Sequence, residues 1–205
     1  MEFWNEITTD RSFKLLQELE KKFDFILIGG WAVYFLTKAI KSKDIDIIVD
    51  FDTLSEMKKT IDIRKTEFLK KYSAEMEGTD IDIYVPYYSK LIVPINEVMK
   101  ETFSIEGFQV PRPEMLLLLK QQAEIERKNT IKGQKDRVDI LTLLISEKID
   151  FSMYNDLIKK LKLVNYKKRL KEILSKAKIE FEYLGIKNPR EIKKIKNKII
   201  SELSK

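Results

Sequence analysis

The sequence predicts an α/β chain, with a small sheet flanked by helices in its first half and a helical bundle in its second. Three observations predict it. Apolar runs at 25–28, 44–49 and 79–85 have strand length, and the last two alternate with acidic residues at period two. From Pro113 onward the apolar residues recur at helical spacing, with capping signals and no further alternation. Pro111 and Pro113 punctuate the passage between the two patterns, which predicts domains of 1–112 and 113–205.

Taken in order, Thr9 or Asp10 can cap a helix running to about residue 22, with Phe13, Leu15, Leu16 and Leu19 on its apolar side. The continuous run Phe25 to Ile28 reads as a buried strand. A short helix follows over 31–38, in which Trp31 packs into the core or offers a platform to a nucleobase. A second strand covers 44–49. Residues 53–72 read as one or two helices with Leu54, Met57, Ile61, Phe68 and Leu69 facing inward. Gly78 breaks the chain before a third strand at 79–85. The 91–110 region is irregular, with short strands at 91–93 and 108–110, a helical turn between them and a tight connection at Gly107. Proline at a first helical position starts a helix at Pro113 that runs to about residue 128. Further helices are predicted at 133–147, from an Asp150 or Ser152 cap to residue 163, from residue 165 to 183, and from the Asn188-Pro189-Arg190-Glu191 start onward.

Composition excludes several chemistries. The 205 residues contain no cysteine and no histidine. That removes disulfides, thiolate and imidazole metal sites, serine–histidine–aspartate triads and any histidine base. Catalysis is left to carboxylates, lysine, hydroxyls or oxygen-bound metal. No apolar run is long enough to span a membrane, and the mixed, acidic opening does not read as a signal peptide, so a cytoplasmic protein is expected. Charge is uneven. From residue 151 on there are 16 Lys/Arg against 6 Asp/Glu, and before it 23 against 27. The basic tail reads either as solvated lysine faces or as attraction for a polyanion such as RNA.

Two stretches carry chemistry. In the first, Ile26-Leu27-Ile28 leads into Gly29-Gly30-Trp31-Ala32-Val33, and Lys43-Asp44-Ile45-Asp46-Ile47 follows. Alternation in a strand puts Asp44 and Asp46 on one face and the isoleucines on the other. Glycines that open a helix let bare backbone amides approach a phosphate. The second stretch, Asp80-Ile81-Asp82-Ile83, repeats the alternation.

The first stretch resembles the signature of the DNA polymerase β-type nucleotidyltransferase superfamily: a hydrophobic strand, Gly-Gly or Gly-Ser, a short helix, then Asp-hydrophobic-Asp. It is most similar to small stand-alone members, the abortive-infection nucleotidyltransferase toxins and the lincosamide-type antibiotic nucleotidyltransferases, with a connection lengthened by residues 39–42. The leucine-rich helix ending in Lys120 and the element Lys135-Asp136-x-x-Asp139 resemble later parts of the same pattern. The resemblance implies a mixed sheet as the nucleotidyltransferase core. It implies a third carboxylate from a later strand, for which Asp82 fits and Asp80 is the reserve. It implies that Asp44, Asp46 and Asp82 bind two Mg2+ ions and act as the catalytic residues. Gly29 and Gly30, with Ser42 and Lys43, would then hold the phosphates of a nucleoside triphosphate (NTP). Lys120 would reach the triphosphate or snorkel to solvent. Asp136 and Asp139, at i and i+3, would pair with a cation of the preceding helix or bind metal.

The implied reaction moves a nucleoside monophosphate (NMP) from the NTP to an acceptor hydroxyl on RNA, such as a tRNA end, or on a protein. RNA would be held through the basic C-terminal helices. For a toxin-like member a cognate antitoxin is a further expected partner. The alternatives are a small-molecule, antibiotic-type nucleotidyltransferase and a non-catalytic nucleotide- or nucleic-acid-binding module on the same fold.

Overall fold

The computed structural model describes residues 4–204; the first residues of the mixed N-terminal stretch and the final lysine lie outside the described residues. The chain divides at Arg112–Pro113 into two compact units. Among the described residues, no helix is long and apolar enough to cross a membrane.

The first unit contains α1 (Glu6–Glu20), β1 (Ile26–Ile28), α2 (Gly29–Thr37), β2 (Ile45–Ile48), α3 (Phe51–Met57), β3 (Arg64–Thr66), β4 (Lys71–Met76), β5 (Thr79–Tyr84), α4 (Ile95–Val98), β6 (Thr102–Ile105) and β7 (Phe108–Pro111). The strands form one mixed sheet in the order β3-β4-β5-β2-β1-β7-β6. β2 runs parallel to β5 and β1 parallel to β7; the other pairings are antiparallel. An antiparallel β1–β2 pair suits the short helix between them, because a parallel pair needs a longer crossover.

The pleat sorts the side chains. Ile45, Ile47, Ile81 and Ile83 are wholly buried. So are Trp31, Phe35, Leu15 and Leu16 on the helices. Phe35 stacks on Phe108 with ring centroids 4.7 Å apart, and Phe13 lies 5.3 Å from Trp31. The indole N–H of Trp31 donates to Ser12 Oγ at 2.9 Å, so Trp31 is a satisfied core residue and offers no face to a base.

Four segments depart from the expected elements. α1 begins at Glu6 under an Asn5 cap, so Thr9 and Asp10, expected to cap it, lie inside the helix. Residues 53–72 are not mainly helical: α3 ends at Met57, and the rest forms β3 and the start of β4. Tyr72 and Ala74 alternate inward along β4, while Phe68 and Leu69, expected inside, sit exposed on the turn between the strands. Residues 91–93 form no strand, and β6 arises instead at Thr102–Ile105, pairing with β7 across the turn at Gly107. The long helix expected over 165–183 is broken into two at Ala177 and Lys178.

The second unit is helical: α5 (Pro113–Arg127), α6 (Ile131–Ile145), α7 (Phe151–Lys160), α8 (Tyr166–Lys176), α9 (Ile179–Tyr183) and α10 (Pro189–Ser204). Leu116, Leu117 and Leu118 on α5 and Val138, Ile140, Leu141 and Leu143 on α6 have no solvent contact. Fully burying a leucine contributes roughly 1.5–3 kcal/mol, so these two helices supply much of the unit's core. Caps come from Thr130, whose Oγ1 accepts from Gly133 N at 3.0 Å, and from Asp150, whose carboxylate accepts from Ser152 N at 2.9 Å.

Candidate active site

The parallel register of β2 and β5 sets Ile45 beside Ile81, Asp46 beside Asp82 and Ile47 beside Ile83. Neighbouring strands lie about 4.8 Å apart, so in-register residues are side by side. The isoleucines point into the core, and Asp46 and Asp82 stand together on the opposite, partly exposed face. Asp44 lies two residues ahead of Asp46, just outside β2. Its side chain is 24% exposed, and Lys43 Nζ is 3.9 Å from Oδ1. Asp80 is exposed and paired across the ladder with Glu75.

β1 brings the glycines to the same place. Ile28 is the register partner of Asp46, and Gly29 follows with φ +68°. A Cβ on Gly29 would stand 2.0 Å from Asp46 Oδ2 and 2.7 Å from its Cγ. The backbone at Gly29 therefore lies directly against the Asp46 carboxylate, in a conformation that side chains disfavour and a space they cannot enter. Gly30, buried, continues the first turn of α2, where peptide amides and the helix dipole favour an anion.

Lys71 adds a positive charge. It lies at the start of β4, and its ammonium pairs with Asp82 Oδ2. Side-chain exposures of 17% for Lys71 and 27% for Asp82 leave this pair within reach of solvent. Reading the segment as a helix hid this residue; the alternation Lys71-Tyr72-Ser73-Ala74-Glu75-Met76 is the signal that reveals it.

Of the three carboxylates expected around metal, the register joins Asp46 and Asp82. Among the described residues, no group of three or more Asp, Glu, His or Cys side chains is placed to hold a metal ion. Two carboxylates beside a phosphate cradle nonetheless fit magnesium, which takes one or two carboxylates and fills its octahedron with substrate phosphate and water. Ser42 is buried, and Lys43 Nζ lies 4.8 Å from the centre of the Trp4 ring.

The other expected residues belong to the helical unit. Lys120 Nζ is 2.7 Å from Asp139 Oδ2 and 3.4 Å from Asp136 Oδ1, with 7% of its side chain exposed. Its head is thus buried in ion pairs and does not snorkel to solvent. Lys135 Nζ donates to Asp139 Oδ1 at 2.6 Å. Arg127 makes a two-pronged contact with Asp136, Nε to Oδ2 at 2.7 Å and Nη2 to Oδ1 at 3.0 Å. Burial disfavours the charged Asp136, but Lys120 and Arg127 more than reverse this and hold its carboxyl below the usual range. Burial pushes the Lys135 ammonium down, against the pull of Asp139. A second cluster lies one turn further along α5, where the fully buried Glu124 accepts from Arg169 Nε at 2.9 Å.

No protein-family model and no curated protein matches the chain. Among solved structures, it superposes on JHP933 from Helicobacter pylori with a TM-score of 0.55 and 17% identity, over 98% of this chain and 94% of that one. An antigenic nucleotidyltransferase-like protein from Paracoccidioides brasiliensis gives a TM-score of 0.43 and 17% identity, over 88% and 93% of the two chains, too loose a fit to weigh. At this identity the likeness to JHP933 is one of fold. The chain thus has a mixed α/β fold, a seven-stranded sheet flanked by helices and followed by further helices, and it shares that fold with JHP933.

Proposed function

We propose that this protein is a magnesium-dependent nucleotidyltransferase that moves an NMP from an NTP to an acceptor hydroxyl on RNA. The observation that carries the reading is the side-by-side placement of Asp46 and Asp82 with the Gly29 backbone pressed against Asp46.

Asp46 and Asp82, with Asp44 just ahead of β2, are the residues that would hold magnesium. Bound there, magnesium would neutralise the triphosphate and make the acceptor hydroxyl more acidic. The chain's own groups do the rest. Gly29 lets the backbone close onto Asp46, and with Gly30 it opens the first turn of α2, whose amides would face the phosphates. Lys43 adds positive charge next to Asp44. The acceptor oxygen attacks the α-phosphorus and forms the new P–O bond, while the bond to the bridging oxygen of the β-phosphate breaks and pyrophosphate departs. Asp82 takes the acceptor's proton at a carboxylate oxygen. RNA as the acceptor draws support from the excess of Lys and Arg in the C-terminal helices.

The test is incubation with each labelled NTP, magnesium and total RNA. Label is expected on RNA with the wild-type protein and on nothing with Asp44→Ala or Asp46→Ala. Transfer that survives both substitutions refutes the assignment. Label on a small molecule with RNA left bare would move the acceptor to the antibiotic class.

A further inference from the structure

The outer edge of the sheet has a composition unlike the rest of its unit. The segment 58–71 holds six Lys/Arg against two Asp/Glu, within a first half of the chain that is acidic overall. It contains edge strand β3, the turn at 67–70 and the start of β4. Lysine on an edge strand has an ordinary explanation, since it discourages pairing with another sheet. That does not account for the aromatic residues. Phe68, at the tip of the hairpin, is 94% exposed, and Tyr87, in the loop after β5, is 90% exposed. Tyr87 also has φ +62°, a left-handed conformation that costs a non-glycine residue free energy.

The loop and the hairpin are joined. Tyr88 Oη donates to Thr66 O at 3.4 Å, and the Tyr88 ring lies 5.3 Å from that of Tyr72. Lysines interleave with these rings: Lys65 Nζ is 4.7 Å from the centre of Tyr88, Lys70 5.5 Å from the same ring, and Lys58 4.6 Å from Tyr72. Phe68 and Tyr87 leave ring faces open for bases to stack on, while Lys65 and Lys70, which rest on Tyr88 and pair with Glu67 in the free chain, are the ammonium groups that would follow the phosphates. The last lysine of the segment, Lys71, is the one paired with Asp82.

We infer that the β3–β4 hairpin and the Tyr87–Tyr88 loop form a docking surface for single-stranded RNA. On the nucleotidyltransferase reading, which this inference deepens, the docked strand is the acceptor, brought to Asp82 along β4.

Binding is measured on the full chain by fluorescence anisotropy with a labelled 15-nucleotide single-stranded RNA, without NTP or magnesium, across a salt series. Duplex RNA and single-stranded DNA serve as parallel arms. Wild type is expected to bind the single strands in preference to duplex, with RNA at least as tight as DNA. The double variant Lys65→Ala/Lys70→Ala should bind more weakly and lower the slope of log K against log salt by about 1.4, for two lost phosphate contacts. Phe68→Ala/Tyr87→Ala should weaken binding at least about fivefold with the slope unchanged, because stacking releases no counterions. These side chains are exposed, so circular dichroism should be unaltered. The inference is overturned if wild type does not bind, if both double variants bind like wild type, if duplex binds as tightly as single strand, or if DNA binds more tightly than RNA. Hairpin-dependent binding without label transfer would leave the docking surface standing and remove the nucleotidyltransferase reading.

Discussion

Two pairs of aspartates meet opposite environments. Asp46 and Asp82 sit across neighbouring strands on a partly exposed face, with Lys71 on one of them. Asp136 and Asp139 sit one helical turn apart on α6, 1% exposed, among Lys120, Lys135 and Arg127. Proximity alone therefore does not decide what a carboxylate pair does. Desolvation and the cations packed against it do. A buried pair whose charge is already balanced has little left for a metal or phosphate, and losing one member strands the rest. A partly exposed pair keeps the solvent access through which a divalent ion can reach it.

The comparison breaks most sharply at Asp136. Replacing it with alanine should cost about 3–5 kcal/mol of stability, because Lys120 and Arg127 lose a shared partner in or beside the interior. A urea midpoint equal to wild type would mean that the cluster is not structural. At the other pair the loss should fall on turnover. Asp46→Ala is expected to reduce NMP transfer by more than ~100-fold, beyond the effect of removing an outer partner of a metal ligand, with an unchanged circular dichroism spectrum. Gly29→Ala combines a left-handed backbone penalty of about 1–2 kcal/mol with a clash against Asp46, so thermal melting should show a loss of at least that size together with lower transfer.

The pH response should separate the pairs further. Asp136 lies below its ordinary value of 3.8 in the folded chain, so its contribution is complete above that value and disappears as pH falls through the depressed one. Urea midpoints recorded from pH 5 to pH 2 should fall more steeply for wild type than for Asp136→Asn. The smallest effect belongs to Lys71→Met. A partly exposed ion pair contributes under about 1 kcal/mol, so stability should barely change. Magnesium affinity, read by calorimetry, should rise once the competing ammonium is gone; weaker binding would assign Lys71 a supporting role instead.

Much of the fold was legible because burial and periodicity agreed. Ile26 to Ile28, Ile45 to Ile48 and the alternation after Gly78 marked strands, and Pro113, Asp150 and Pro189 marked helix starts. The β3–β4 hairpin was not legible. Arg64 to Thr66 is too short and polar to show a period, and Phe68 and Leu69 mimicked a core face although they cap a turn. The break at Ala177 was hidden because its apolar spacing continues through the kink. At the candidate site, alternation placed Asp46 and Asp82 on strands, but only the register shows them adjacent, since pairing between strands of different sequence separation leaves no local mark. Lys120 carried two possible roles in sequence, and its ion pairs come from residues sixteen and nineteen positions away.

The contact between Gly29 and Asp46 ties two distant positions into one inherited unit. Any descendant of this chain that gains a methyl at position 29 must shorten or lose the acid at position 46, or shift β2 out of alignment with β1. The two sites should thus change together or stay fixed together, and a lineage keeping the acid while abandoning the glycine would have had to rebuild the bend between them.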